Sequence, residues 1–302
     1  MTVISTGAHP KALWPGVHKF CMGVYDEWAE EFSLVFNVVD STKAYEEDVE
    51  TTAFDLAQVK PEGSAVVFTG HSQGFTKRYT HAAYALGFIV TKEERADNQY
   101  ADKAFKRAGL LARSFRVSKE IVHWNHFNRA TSGSFVGGDG VALLSTAHPT
   151  LSGNQSNRLA TDADLSEASL EDMLTMVRVA KNSKGHPIKL VAKKLVVSPY
   201  DAFNAERILE STLQNDTGNN AVNAVKSRGL LANGYMVGTY LTDPDAWFIT
   251  TNADAGLTSF KREGYSFTTD NDFDTENAKA KGYERYASGW TDWRGCYGTA
   301  GA

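Results

Sequence analysis

The sequence is poor in cysteine: Cys21 and Cys296 are the only two in 302 residues. Such a chain has no disulfide framework, and the separation of the two thiols fits no zinc-ligand spacing. Long apolar runs are missing too. The longest, Ala82 to Val90, has nine residues and falls well short of the ~20 that a membrane-spanning helix needs. The opening Met-Thr-Val-Ile-Ser-Thr-Gly lacks the basic-then-apolar order of a signal peptide. These absences point to an intracellular folding compartment and to no membrane partner. Charge of one sign is not in excess either. A net charge of −5 exerts no global pull toward nucleic acid or anionic lipid. What is present is ordinary for a folded protein: 42% hydrophobic, 22% charged and 11% aromatic residues, enough chain for one large domain or two lobes.

One stretch resembles catalytic machinery. Gly70-His71-Ser72-Gln73-Gly74 matches the G-x-S-x-G of a nucleophile elbow, in which a strained strand-to-helix turn presents a serine. That elbow requires a helix directly after the serine, yet Phe75 to Thr80 alternates as a strand. The hydrolase order also requires a late histidine, and the last one here is His186. A serine hydrolase using Ser72 is therefore only a remote alternative. The preferred reading is a protruding hairpin, with Ser64–Thr69 and Phe75–His81 as its strands and Gly70–Gly74 as its reversal.

Other candidates fall short in similar ways. Asp270-Asn271-Asp272-Phe273-Asp274 begins like a calcium loop, but Thr275 replaces the required glycine and Lys281 the bidentate glutamate. His123 and His126 could share a helix face without an identifiable third ligand, so packing or an interface is their expected role. Gly137-Gly138-Asp139-Gly140 lacks the lysine of a phosphate loop. No catalytic residue, metal or cofactor is expected. In a chain this long, the lack of a catalytic constellation favours a structural role.

The first 50 or so residues carry Trp14, Phe20, Tyr25, Trp28, Phe32 and Phe36 without a regular period, and read as an arm draped over another surface. Thr91-Lys92-Glu93-Glu94 is a capping box that opens a long helix reaching toward Asn128. Ala101, Ala104, Phe105, Ala108, Leu111, Ala112 and Phe115 form its apolar face, and Lys103, Lys106, Arg107 and Arg113 lie opposite. Gly109 and the Val117-Ser118 step argue against one unbroken rod. After a loop-rich stretch to Ala163 come a helix bearing Leu170, Met173, Leu174 and Val177, a strand over Lys189–Ser198 and a helix capped by Asp201. A polar loop, Gln214–Gly234, precedes strands at Tyr235–Leu241 and Ala246–Thr251, and the end of the chain is β-like and aromatic. The expected class is α+β.

Several stretches in the second half resemble tailed-phage major capsid proteins of the Hong Kong 97 type. They are Lys194-Leu-Val-Val-Ser-Pro199, Ala205-Glu-Arg-Ile-Leu-Glu-Ser211, Tyr240-Leu-Thr-Asp-Pro-Asp-Ala-Trp-Phe-Ile249, Asp270–Asp274 and Glu284-Arg-Tyr-Ala-Ser-Gly-Trp-Thr-Asp-Trp-Arg-Gly295. The resemblance implies an N-arm (1–47), an extended hairpin loop (48–90), a peripheral domain with a long spine helix (91–163 and 254–302) and an axial domain (164–253). It implies an icosahedral shell of hexamers and pentamers around double-stranded DNA, with portal and decoration proteins as partners and assembly in the host bacterial cytoplasm. An encapsulin-like nanocompartment is the alternative on the same fold. The chain lacks the charged helical leader of some relatives, so a separate scaffolding protein is expected. Gly70, Gly74, Lys77, Arg78, Arg285, Trp290, Trp293 and Arg294 are the expected subunit-contact residues. Lys103, Lys106, Arg107 and Arg113 are the expected inner-face residues near DNA.

Overall fold

A computed structural model describes residues 14–96, 100–214, 221–272 and 274–302, leaving aside the side chains of 14–17, 95, 96 and 100–105. Its longest helix, α3 (Tyr100–Asn128), runs 29 residues, about 43 Å at ~1.5 Å per residue. Neither Gly109 nor Val117-Ser118 interrupts it. Gly109 instead allows close approach, since a Cβ there would stand 3.3 Å from Phe20 Cε1. The short α2 (Lys92–Ala96) precedes it, and the Glu94 N–H donates to Thr91 Oγ1 at 3.3 Å. Only that half of the expected box is seen, because the Glu94 carboxylate is turned to Arg107.

Phe20 belongs to α1 (Trp14–Glu27), so the expectation of an irregular arm fails here. Pro15 sits in the first turn, where its missing N–H has no intrahelical partner to lose. Cys21 and Tyr25 are buried among Ala108, Ala112, Phe115 and Tyr265, with the Tyr25 and Tyr265 rings stacked at 4.5 Å. Two glycines, Gly16 and Gly23, hide this helix from periodicity; tertiary packing makes it.

On α3 lies a sheet in the order β1 (Asn37–Asp40), β8 (Leu257–Asn271), β9 (Ala278–Trp290), β4 (Ala82–Val90). The pair β1–β8 is parallel and the others are antiparallel. Alternate residues Tyr265, Phe267, Ala280 and Tyr286 are buried on the helix side. Gly282 is the closest approach, where a Cβ would stand 2.6 Å from Phe115 Cε2.

A second sheet runs β10 (Cys296–Thr299), β7 (Trp247–Thr251), β5 (Ala192–Val197), β6 (Tyr235–Val237). Leu195, Val197, Trp247 and Ile249 pack with α4 (Glu167–Arg178) and α5 (Ala202–Glu210). Val196 and Phe248 point the other way, into a cluster with Trp124 and Phe127 of α3. Burial on both faces explains why these strands read as unbroken apolar runs. Ser166 caps α4 as expected of a capped helix, but Asp201 at the start of α5 makes no side-chain cap bond. Within the polar stretch 214–234, Asn223 caps a one-turn α6 (Ala224–Ser227); residues 215–220 lie outside the described ones.

Candidate assembly surface

Strands β2 (Tyr45–Thr51) and β3 (Gln73–Thr80) pair antiparallel, apart from both sheets. In their register Glu47 opposes Arg78 and Asp48 opposes Lys77, opposite charges across the ladder. Arg78 Nε donates to Glu47 Oε1 at 2.7 Å, and its guanidinium lies 4.2 Å from the Tyr45 ring centre. Gly74 sits inside β3, where a Cβ would come within 2.9 Å of Glu50 Oε2.

The reversal is therefore not at Gly70–Gly74. It is the whole segment 52–72, closed where the Thr52 N–H donates to the Ser72 carbonyl at 3.0 Å. Ser64–Thr69, expected as a strand, forms none, because no ladder partner for it exists among the described residues. Ser72 leads into a strand rather than a helix, and its Oγ lies 3.2 Å from Thr52 Oγ1. The elbow geometry is absent.

Nor does the hairpin stand free along its length. Lys77 Nζ donates to the Val136 carbonyl at 2.7 Å and lies 5.6 Å from the Trp290 ring centre, and burial pulls its pKa down. Further out, Lys184 Nζ reaches Asp55 Oδ1 at 3.0 Å and the Gly70 carbonyl at 3.4 Å. The loop is the most open part of the hairpin. It exposes Phe54, Leu56, Val59, Val66, Val67 and Phe68, the last 93% exposed.

Beneath the hairpin, Arg294 is buried and stacks 4.3 Å from the Trp293 ring centre. Its guanidinium donates to the Lys181 carbonyl (2.9 Å), Gln155 Oε1 (3.1 Å) and Asp292 Oδ1 (3.2 Å), and stands 3.6 Å from Glu50 Oε1. Burial, with Asp292 adding its charge, raises the Glu50 pKa, and burial raises that of Asp292. Two carboxylates thus share one buried cation. Trp293 in turn stacks 4.3 Å from His148, whose Nδ1 lies 2.6 Å from Asp139 Oδ2.

The residues expected to touch neighbours divide accordingly. Gly70, Lys77 and Arg78 lie on the hairpin and its loop, and Arg285 is 4.0 Å from Glu263 on β8. Trp290 and Trp293, each 5% exposed, and Arg294, 3% exposed, belong to the core instead. Side chains so enclosed leave little surface in the single subunit for a partner to touch.

The basic stripe does not act as a unit. The Lys103 side chain lies outside the described residues. Arg107 is bidentate on Glu94 at 3.0 and 2.8 Å, and Arg113 is 3.6 Å from Glu27. Lys106 is exposed, with no partner among the described residues.

His123 and His126 pack, as expected. His123 Nδ1 donates to the Lys119 carbonyl at 2.7 Å while Nε2 accepts from Ser259 Oγ at 2.8 Å. His126 Nε2 lies 2.9 Å from Ser288 Oγ. Burial lowers their pKa values to about 3 and about 4.

Sequence reasoning missed the buried carboxylates. Glu120 accepts from the N–H groups of Glu31 (2.8 Å) and Phe32 (3.1 Å) and from Trp124 Nε1 (3.1 Å), tying the chain after α1 to α3. Its only trace in the sequence is the i, i+4 spacing to Trp124.

A family model described as phage capsid protein matches residues 74–298. No curated protein matches the sequence. Among solved structures, the chain is similar to one from Microbacterium phage Oxtober96 at 10% identity and a TM-score of 0.56, covering 91% of this chain and 92% of that one. The virus-like particle from Pyrococcus furiosus is similar at 10% identity and a TM-score of 0.51, with coverage of 95% and 98%. The procapsid of bacteriophage JBD30 follows at 14% and 0.51, covering 98% and 76%. At these identities the likeness establishes the fold alone.

Proposed function

This chain belongs to the phage capsid protein family, and we propose from that premise that it builds the head in the manner of Hong Kong 97-type proteins. As a major capsid protein it forms the shell of the virion, and the family match over residues 74–298 carries that conclusion. The finer reading is an icosahedral shell of hexamers and pentamers around the double-stranded DNA of a tailed phage. Residues 1–47 serve as N-arm and 48–90 as extended loop. The peripheral domain comprises 91–163 and 254–302, with α3 as spine, and 164–253 form the axial domain.

A shell of many identical chains requires each copy to hold several neighbours through modest contacts that tolerate different bends. Two features support this assignment. The loop at 52–72 exposes large apolar side chains that an isolated subunit gains nothing by exposing. The charged β2–β3 ladder, seated on the buried Arg294, gives that loop a firm base.

The role is structural rather than catalytic, with Ser72 held to Thr52. Assembly takes place in the host cytoplasm with a separate scaffolding protein, a portal and decoration proteins. Lys106 meets packaged DNA without sequence preference.

Electron microscopy of particles from phage-producing cells tests this reading. The expected result is closed icosahedral shells with this chain as the most abundant component. A chain found only as a monomer, or in a few copies per particle, overturns it. The rival reading is an encapsulin-like compartment on the same fold. Cargo protein in place of DNA inside the shells would decide for it.

A further inference from the structure

One basin of the molecule gathers cations without acids. It is a cavity of about 480 Å³ where β3, the start of β4 and the end of β9 meet the C-terminal end of α3. Small-molecule sites typically enclose ~300–1,000 Å³. No aspartate or glutamate lines it, whereas Lys77, Arg78 and Arg129 do.

Arg78 is already neutralised by Glu47 at 2.7 Å. Lys77 is not. Its ammonium donates to a neutral acceptor, the Val136 carbonyl at 2.7 Å, and has two N–H groups to spare. The carboxylate whose charge acts on it, Asp139, is itself engaged by His148 at 2.6 Å. Arg129 has no ion pair among the described residues; its guanidinium lies over the Phe135 ring, 4.4 Å from the centre.

Neutral donors complete the lining. Asn125 contributes an amide. Tyr286 contributes a hydroxyl that is shut off from solvent and has no hydrogen-bond partner of normal geometry among the described residues. A buried hydroxyl without a partner is destabilising, so it calls for an acceptor. His126, on the same wall, registers the field. Burial lowers its pKa, and the charges of Lys77 and Arg129 lower it further, so the basin is positive where it meets the core.

We propose that this basin binds a tetrahedral oxyanion of the phosphate class, held between Lys77 of the hairpin and Arg129 at the end of α3, with Asn125 and Tyr286 donating to its remaining oxygens. Two cations and two neutral donors around one space suit the four oxygens of phosphate better than the two of a carboxylate. Trp290 backs Lys77 and Phe135 backs Arg129, which keeps water from part of the wall and strengthens the attraction. An anion so placed fixes the base of the hairpin against the helix. The site belongs to the single subunit and does not depend on the shell reading.

Equilibrium dialysis of radiolabelled inorganic phosphate against the purified subunit, at constant ionic strength, tests the site on the unaltered chain. Saturable binding of one phosphate per subunit is expected. No binding, or uptake that rises without saturating, overturns the proposal.

Arg129→Gln breaks no ion pair and should weaken the affinity at least about tenfold, because a charge-assisted bond to phosphate is lost. Tyr286→Phe removes only the hydroxyl and should also weaken it. The control is Lys189→Gln, which removes the same charge from an exposed position outside the basin and should leave the affinity within about twofold. Equal weakening by Lys189→Gln means attraction by net charge alone and overturns the site. A short DNA duplex added as competitor separates two sources of the anion. Displacement of the labelled phosphate assigns the site to a DNA backbone, and retention assigns it to free phosphate.

Discussion

Glu50 of β2 stands 3.6 Å from the guanidinium of Arg294, a contact that joins the hairpin to the far end of the chain. Arg294 also holds Asp292 at 3.2 Å, so replacing it by methionine strands two carboxylates in a buried site. Removing one partner of a buried ion pair typically costs ~3–5 kcal/mol. Arg294→Met should lower the stability of the unassembled subunit by about that amount in urea unfolding. It should also speed hydrogen exchange along β2. The loss should be smaller in acid, because both carboxyls have raised pKa values and neutralise early as pH falls.

His123 gives the opposite pH response. Its pKa falls from 6.5 to about 3 on folding, so it stays neutral in the core while the unfolded chain takes up a proton. Its contribution is complete above pH 6.5 and is lost as pH falls toward 3, at up to ~1.4 kcal/mol per pH unit. His123→Gln should flatten that part of the stability profile relative to the unaltered chain, whatever its effect at neutral pH.

Gly282→Ala should destabilise the contact between α3 and the sheet. The added methyl would meet Phe115 Cε2 at 2.6 Å and Tyr265 Cε2 at 2.8 Å, both rings enclosed in the core. Overpacking of this kind costs ~1–3 kcal/mol. A lowered melting temperature of the free subunit is the measurement.

Both thiols should be inert in the native protein. Cys21 and Cys296 are free and fully buried, and burial raises both pKa values. A thiol-specific reagent should label neither in the folded subunit and both in denaturant. Labelling before unfolding would show that these sites open.

Lys106→Glu should impair DNA packaging more than shell formation, since Lys106 is exposed and unpartnered among the described residues. Arg107 is the wrong choice for this test because its loss also breaks the pair with Glu94. Empty-to-full particle ratios read the effect. A variant that fails to form shells but fills those it makes would reverse the assignment.

Much of the fold is legible in local pattern. The face running from Ala108 to Phe115 marks α3, and the apolar runs at Leu195–Val197 and Trp247–Ile249 mark strands buried on both sides. These signals survive because the residues that create them are neighbours on one helix face or one strand. The helix α1 was hidden, since Gly16 and Gly23 break its pattern and only Ala108, Phe115 and Tyr265, far along the chain, supply its partner surface.

The contact residues divide for the same reason. Trp290, Trp293 and Arg294 look like surface anchors in a list of aromatics and cations, because composition carries no information about burial. Gly70–Gly74 looks like a turn because glycine permits one, but the register of β2 against β3 puts the reversal over the whole of 52–72. By itself, the order of residues determined the α+β class, the long helix and the kinship with capsid proteins, all of which depend on short-range spacing or shared letters. The tertiary structure alone decided which charges are buried and where the hairpin rests, because burial and strand pairing arise between segments that the chain brings together only on folding.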